Sequence, residues 1–202
     1  MPSRPCAFRR SPFAARREAA RTRGVGAVYF EHLNRVRELL APYNRKLIFW
    51  GDIALNHPDL IGNIPKDLIV ANWDYTPRES FATRIDPFKN AGLQQLVCPG
   101  VWGWNQIFPN VDVSSKNIIN FVRDGQAAGA IGMLNTTWDD DGETLFEHGW
   151  YGIVLGAAAS GPPAPRLMAR SIVSFGIFCA FASLTALTIV SAPRMRMNSS
   201  SG

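Results

Sequence analysis

Four short apolar runs are the feature that most constrains the fold of this chain. They are residues 46–52 (KLIFWGD), 68–73 (LIVANW), 93–99 (LQQLVCP) and 130–135 (AIGMLN). Short apolar runs bounded by turn residues are typical of strands buried on both faces of a parallel sheet. The starts of the runs are separated by 22, 25 and 37 residues, which leaves room for a helix between successive strands. The sequence therefore predicts an α/β fold.

Segments with helical spacing lie before, between and after these runs. Apolar residues recur at helical intervals over residues 28–42, and Pro42 closes the segment. We predict further helices at residues 114–128, with Ser114 as the N-cap, and at residues 143–159. Within the last of these helices we expect Trp150 to be a core residue. This succession is typical of repeated βα units.

Charge divides the chain into three parts. Residues 1–24 carry seven Arg against one Glu, residues 25–160 carry ten Lys or Arg against fifteen Asp or Glu, and residues 161–202 carry four Arg and no acid. We interpret these parts as a disordered Arg-rich leader, a folded domain, and a Pro-rich linker followed by a hydrophobic segment. The net charge of +5 thus belongs to the two ends, and the acidic middle argues against nucleic-acid binding.

A run of 22 uncharged residues, 171–192, lies between Arg170 and Arg194. At about 1.5 Å per residue, a helix of this length would cross a hydrocarbon core of roughly 30 Å. Two interpretations stay open, a transmembrane helix and a sequence that arose from gene truncation or a change of reading frame. The localisation stays open with them, between a membrane-associated and an extracytoplasmic protein.

Cysteine and histidine form no recognisable metal or disulfide pattern. The cysteines are Cys6, Cys98 and Cys179, and the histidines are His32, His57 and His148. They include no CxxC pair and no histidine at ligand spacing. We expect Cys98, inside an apolar run, to be a buried and inert thiol. The sequence therefore predicts neither a metal nor a cofactor.

Each apolar run ends in, or is soon followed by, tryptophan and a polar partner. These groups are Trp50 with Asp52, Trp73 with Asp74 and Tyr75, Trp102 and Trp104 with Asn105, and Trp138 with Asp139 and Asp140. We expect them to converge, because the carboxyl ends of parallel strands meet at the face where ligands bind. Sugars stack on aromatic rings and donate hydroxyl protons to carboxylates, and the sequence has no Gly-rich phosphate loop. The pattern predicts a carbohydrate site.

The acidic segment at residues 135–143 (NTTWDDDGE) has to be tested as a metal loop and as an acid pair. With Gly142 at the sixth position of an EF-hand, His148 would stand where the loop requires its last Glu, so the match fails. A retaining glycosidase needs two carboxyl groups about 5–5.5 Å apart, which neighbours in one loop do not guarantee. Carboxylates near the first turn of a following helix are favourable in any case, so turn or helix-start charges also stay open for this segment.

The ordered set KLIFWGDIA, PKDLIVANWDY, LQQLVCPGVWGWN and GMLNTTWDDDGE resembles the second half of the catalytic barrel of family 20 glycoside hydrolases, the β-N-acetylhexosaminidases. In that family, strands ending in Trp-Asp-Glu, in Gln-x-Trp, in a Tyr-bearing loop and in Trp-x-Glu follow in this order. The resemblance covers about residues 28–160. It implies a partial (β/α)8 TIM-type barrel with about four βα units, whereas eight units close a barrel.

The resemblance also implies roles for individual residues. Trp50 and Trp73 would line the subsite of a terminal sugar. Trp138 would form the hydrophobic wall of that subsite. Asp140 would replace the glutamate that binds sugar hydroxyls. The ligand implied is the terminal amino sugar of a glycan or of a chitin-like oligosaccharide.

This sequence departs from the family pattern in three places. Asp52 lies one position beyond the family's aspartate because Gly51 intervenes. Trp102 and Trp104 stand in the loop where the family has a tyrosine that holds the acetamido group of the substrate. The family's catalytic Asp-Glu dipeptide, whose Glu is the general acid and whose Asp steers the acetamido oxygen to the anomeric carbon, occurs nowhere in the 202 residues.

We therefore expect a fragment or divergent member of an exo-acting β-N-acetylhexosaminidase, with the sugar-binding wall but without the catalytic pair. The substrate class would be terminal β-linked N-acetylhexosamine. The alternative is a non-catalytic protein that binds carbohydrate or is tethered to a membrane through residues 171–192. A third hypothesis, a different barrel enzyme that uses residues 139–141 as acids or metal ligands, also stays open.

Overall fold

A computed structural model describes residues 12–161 of the chain. The helices are α1 (Pro12–Arg23), α2 (Val25–Leu40), α3 (Asp52–Leu55), α4 (Ala82–Asn90), α5 (Val111–Ala127) and α6 (Trp150–Ala159). The strands are β1 (Ile48–Trp50), β2 (Ile69–Trp73), β3 (Gln94–Cys98) and β4 (Gly132–Met133). Short 3-10 helices lie at Ala41–Tyr43, Pro58–Asn63 and Phe146–Gly149. The predicted α/β class is confirmed, and each strand lies inside its predicted run.

The four strands form one parallel sheet in the sequential order β1-β2-β3-β4. Ile48 is paired with Ile69, Ile69 with Gln94, and Leu96 with Gly132. The chain crosses from each strand to the next through helical segments, with α4 between β2 and β3 and α5 between β3 and β4. These crossovers are the βα units that the spacing of the apolar runs predicts.

Helices cover one face of this sheet. Phe49 and Val70, which are neighbours in the register, pack in one core cluster with Leu33 of α2 and Phe88 of α4. Burying one such side chain contributes about 1.5–3 kcal/mol. Because side chains alternate along a strand, Trp50 and its register partner Ala71 point to the opposite face. The end of β1 therefore presents its indole away from the helices.

The second core cluster joins β3 to the helices on either side of it. Val97 packs with Ile85 of α4 and Phe121 of α5, and the rings of Phe81 and Phe121 stack with centroids 4.2 Å apart. A Cβ atom at Gly125 of α5 would lie 2.6 Å from a methyl carbon of Val97. The glycine therefore lets α5 approach β3 closely.

The predicted start of α5 is wrong by one helical turn. The N-cap is Asn110, whose Oδ1 accepts a hydrogen bond from the Val113 amide at 3.2 Å. Ser114 is buried within the first turn, and its hydroxyl donates to the Val111 carbonyl at 3.1 Å. Asn110 takes the capping position because its own amide donates to the Trp102 carbonyl, at 3.1 Å, and so begins the helix directly after the loop.

The prediction that Trp150 is a core residue is also wrong, since its side chain is 47% exposed. Its helix, α6, packs on the rest of the domain through small residues on the other side. The Gly152 carbonyl accepts a hydrogen bond from Asn135 Nδ2 at 2.9 Å, and a Cβ at Gly156 would collide with the Asn135 amide. Trp150 lies off this face and contacts the Phe146 ring edge-on at 5.6 Å.

The structure has helix α1 over residues 12–23, where the sequence predicts a disordered leader. Alanine and arginine are good helix formers, and Arg23 forms an ion pair of 2.8 Å with Glu31 of α2. The remainder of the leader and the hydrophobic segment 171–192 lie outside the described residues. Within residues 12–161, every helix is too short or too polar to cross a membrane.

Candidate functional site

Five tryptophans gather at the carboxyl ends of the strands and form a connected aromatic cluster with Tyr75. Its members are Trp50, Trp73, Tyr75, Trp102, Trp104 and Trp138. Trp50 from the end of β1 lies 6.1 Å from Trp138 in the loop after β4, between ring centroids. In the loop after β3, Trp102 and Trp104 are 5.1 Å apart. All five tryptophans of the predicted site therefore belong to the cluster.

Tyr75 joins the two parts of this aromatic cluster. Its ring centroid lies 5.1 Å from that of Trp73 and 4.7 Å from that of Trp104. Its hydroxyl oxygen accepts a hydrogen bond of 2.6 Å from Nε1 of Trp138. The sequence predicts Tyr75 only as a polar neighbour of Trp73. The usable signal is their spacing of two residues, because alternate side chains of an extended segment point the same way.

Backbone hydrogen bonds join the loops after β3 and β4. The Val101 amide donates to the Thr136 carbonyl, and the Thr136 amide donates to the Pro99 carbonyl, both at 2.9 Å. The loop that follows has two non-glycine residues at positive φ, Trp102 at 60° and Asn105 at 57°. Such conformations cost about 1–3 kcal/mol each and are common where a ligand binds. The packing of the aromatic cluster holds Trp102 in this strained geometry.

The two predicted sugar-binding carboxylates lie at different places on the rim of the cluster. Asp52 is the first residue of α3 and is half-buried. Burial, and then the charge of Asp52, raises the pKa of Tyr29. The Tyr29 hydroxyl in turn donates to the Trp50 carbonyl at 3.4 Å. Asp52 therefore lies at the β1 end of the cluster, beside Trp50 and the hydroxyl of Tyr29, which the sequence does not predict as a site residue.

Asp140, in the loop after β4, is exposed. The pKa of Tyr75 is raised first by burial, and the negative charge of Asp140 raises it further. The hydrogen bond from Trp138 to the tyrosine oxygen acts in the opposite direction. The Asp140 carboxylate is thus close enough to Tyr75 to influence its ionisation, and it stands in water where a ligand hydroxyl can reach it.

Asp74 does not join the other predicted polar partners. Its carboxylate is buried and forms ion pairs with Arg78 at 2.9 Å and Arg84 at 3.4 Å. It also accepts a hydrogen bond of 2.8 Å from the Thr76 amide. A buried carboxylate with these partners supports the loop that carries Tyr75, and its oxygens are already occupied by Arg78, Arg84 and the Thr76 amide.

The rest of the acidic segment is a solvated turn. Asp139, Asp141 and Glu143 are exposed, and Gly142 has a φ of 68° that favours glycine. No group of three or more His, Cys, Asp or Glu in residues 12–161 is arranged to hold a metal ion. Cys98 is fully buried, as the sequence predicts, and burial raises the pKa of its thiol far above the ordinary value.

No protein-family model matches this chain, and no curated protein matches it. The inference of function therefore rests on the residues and their geometry. Aromatic faces beside exposed carboxylates can stack on the apolar face of a sugar and accept its hydroxyl protons.

Proposed function

We propose that this aromatic cluster binds the terminal N-acetylhexosamine of a β-linked glycan or chitin-like oligosaccharide. The observation that carries the proposal is the gathering of five tryptophans, two from the last positions of β1 and β2 and three from the loops after β3 and β4, with Asp140 exposed beside them. Trp50 and Trp138 supply stacking surfaces, and Asp52 and Asp140 supply acceptors for sugar hydroxyls. The proposed fold is an arc of a (β/α)8 barrel from a protein similar to family 20 glycoside hydrolases.

Two features of the sheet support a barrel arc. Its strands follow one another in sequential order, and the core clusters place helices of several crossovers on one face. A doubly wound sheet instead reverses its strand order and carries helices on both faces. Right-handed crossovers that always advance in one direction put every helix on the same side, as in a barrel. The four strands then correspond to half of the eight in a closed barrel.

Binding is tested with the full-length chain and N,N′-diacetylchitobiose. We expect the fluorescence of the clustered tryptophans to change on titration, and calorimetry to give a dissociation constant. Trp138→Ala should weaken binding at least about tenfold, because truncating a stacked aromatic costs more than 1 kcal/mol. The matched control is Trp150→Ala, at the one tryptophan outside the cluster, which should bind as the wild type does. Equal affinities of all three proteins would rule the site out.

We propose further that this chain does not hydrolyse the sugar. Exo-hydrolysis in the family requires the Asp-Glu pair, and no Asp-Glu dipeptide is present in the sequence. The chain should therefore release no chromophore from a chromogenic N-acetylglucosaminide. Hydrolysis that disappears in Asp140→Ala would show that the chain holds its own catalytic residues.

The missing pair also favours a second candidate, a protein that binds carbohydrate without catalysis and is tethered to a membrane through residues 171–192. This candidate predicts partition into detergent with sugar affinity retained. Deletion of residues 171–192 should abolish the partition and leave the affinity unchanged. If the 202-residue chain stays in the aqueous phase, the tether is excluded.

A further inference from the structure

Hydrogen bonds hold the backbone on both sides of Tyr75. The backbone on both sides of Tyr75 is fixed by one buried side chain, Asn117, whose Nδ2 donates to the Asp74 carbonyl at 2.8 Å and to the Thr76 carbonyl at 3.0 Å. The same side chain accepts a hydrogen bond of 3.0 Å from the Gly100 amide. Asn117 itself is fully buried. Asn117 therefore fixes the backbone position of Tyr75 in the absence of a ligand.

Trp138, in contrast, comes from an exposed loop. The five residues after it are exposed or lie in the turn at Gly142. Its contacts within the cluster are the tilted ring of Trp50, at 6.1 Å, and the hydrogen bond from Nε1 to the Tyr75 hydroxyl. That hydrogen bond, at 2.6 Å, connects the exposed loop after β4 to the segment that Asn117 holds. It also occupies the indole N–H, so Trp138 can offer a ligand only its ring face.

From this arrangement we infer that Tyr75 is a positioning residue, whose hydroxyl holds the Trp138 ring at the angle required for stacking on a sugar. This inference rests on the proposed function and adds a residue to the site. The hydroxyl acts through Trp138 and makes no ligand contact of its own. Preorganisation of this kind raises affinity because the orientation of the Trp138 ring is already fixed, so no conformational entropy of this side chain is lost on binding.

The first test needs no sugar and uses hydrogen exchange of the indole N–H groups in the ¹⁵N-labelled full-length chain. Trp138→Phe identifies the Trp138 resonance by deleting it. In the wild type this N–H should be protected, and Tyr75→Phe, which removes only the hydroxyl, should exchange it at least about tenfold faster. Tyr43→Phe, at a tyrosine that is 69% exposed, is the matched control and should leave the rate unchanged. An unchanged rate in Tyr75→Phe overturns the inference.

The second test is a double-mutant cycle on the affinity for N,N′-diacetylchitobiose. Tyr75→Phe alone should weaken binding about three- to tenfold, the loss that corresponds to one hydrogen bond. In the Trp138→Phe background, where no N–H is left to hold, the same substitution should change affinity less than about twofold. An equal loss in both backgrounds would mean that Tyr75 contacts the sugar directly, and no loss in either would mean that the ring needs no support.

The two tests separate the failure of this inference from the failure of the proposed function. If the wild-type chain binds no chitobiose, the sugar site is wrong, and the hydrogen-exchange result still decides whether Tyr75 holds Trp138. If the wild type binds and Tyr75→Phe is indistinguishable from it in affinity, the sugar site stands and the positioning role is rejected.

Discussion

At the scale of single residues, Gly100 decides whether the aromatic cluster can pack. A Cβ atom at this position would lie 2.7 Å from Cδ1 of Tyr75 and 2.9 Å from Cη2 of Trp104. Distances below 3.0 Å are too short for carbon atoms, so the two rings would have to move apart. The amide of Gly100 is also bound to Asn117, which prevents the backbone from retreating. The rings of Tyr75 and Trp104 pack directly against the backbone of Gly100, where a side chain would have no room.

We predict that Gly100→Ala lowers the free energy of unfolding by about 1–3 kcal/mol, the usual cost of overpacking. It should also change the near-ultraviolet circular dichroism, because Tyr75 and Trp104 lose their contact. Gly62→Ala is the matched control, since a Cβ there meets no atom within 4 Å. Urea unfolding of the three proteins checks the prediction, and equal midpoints for Gly100→Ala and Gly62→Ala would contradict it.

At the scale of elements, the sequence predicts those strands and helices whose own apolar pattern defines them. The four strands lie in the predicted runs, and α2 (Val25–Leu40) covers most of its predicted range. These elements are predictable because the apolar periodicity of each segment already marks the residues that become buried. The start of α5 depends instead on how the preceding loop folds back onto the Trp102 carbonyl. No local pattern distinguishes Asn110 from Ser114 as its cap.

The same limit applies to the candidate site. Strand-end tryptophans are predictable because parallel strands align their carboxyl ends. The diversion of Asp74 into ion pairs with Arg78 and Arg84, and the central place of Tyr75, depend on contacts between separate elements. The exposed position of Trp150 has a similar origin, since the small residues of α6 form its packing face.

The buried side chain of Asn117 connects α5 to the loops after β2 and β3, and its removal should loosen both. Asn117→Ala would leave the Gly100 amide and the Asp74 and Thr76 carbonyls without this partner. Because each unsatisfied buried group costs about 1–3 kcal/mol, we expect a loss of about 2–4 kcal/mol in the free energy of unfolding. Asn90→Ala, at an exposed residue at the end of α4, should cost far less in the same urea titration.

At the scale of the whole molecule, stability should depend on pH through groups in different elements. Burial alone would raise the pKa of Asp124, but the Arg123 side chain and the Phe81 amide hydrogen-bond to its carboxylate and lower the pKa. The bond to Phe81, at 2.7 Å, joins α5 to the start of α4. Burial raises the pKa of Tyr75, and burial and the charge of Asp52 raise that of Tyr29. The fall in the free energy of unfolding at acid pH (the acid limb) and its fall at alkaline pH (the alkaline limb) thus arise from different residues.

The direction of each limb follows from proton linkage. Asp124 stabilises the fold above the ordinary carboxyl pKa of about 3.9, and this stability is lost as the pH falls through its lowered pKa. Below about pH 10, Tyr75 is neutral in both the folded and the unfolded chain. Above that pH the unfolded chain loses the tyrosine proton first, so the free energy of unfolding falls as the pH rises toward the raised pKa of the folded state.

We therefore predict that urea midpoints measured from about pH 3 to pH 11 decline at both ends of the range. Asp124→Asn should reduce the acid decline without abolishing it, since the pKa values of Asp67 and Glu79 are also lowered by their ion-pair partners, and should leave the alkaline decline unchanged, because its amide does not titrate. Tyr75→Phe should reduce the alkaline decline without abolishing it, since Tyr29 still contributes, and should leave the acid limb as in the wild type. Each variant is thus the control for the other. An alkaline limb that is unchanged in Tyr75→Phe would mean that Tyr75 is not the buried, late-titrating hydroxyl at the centre of the aromatic cluster.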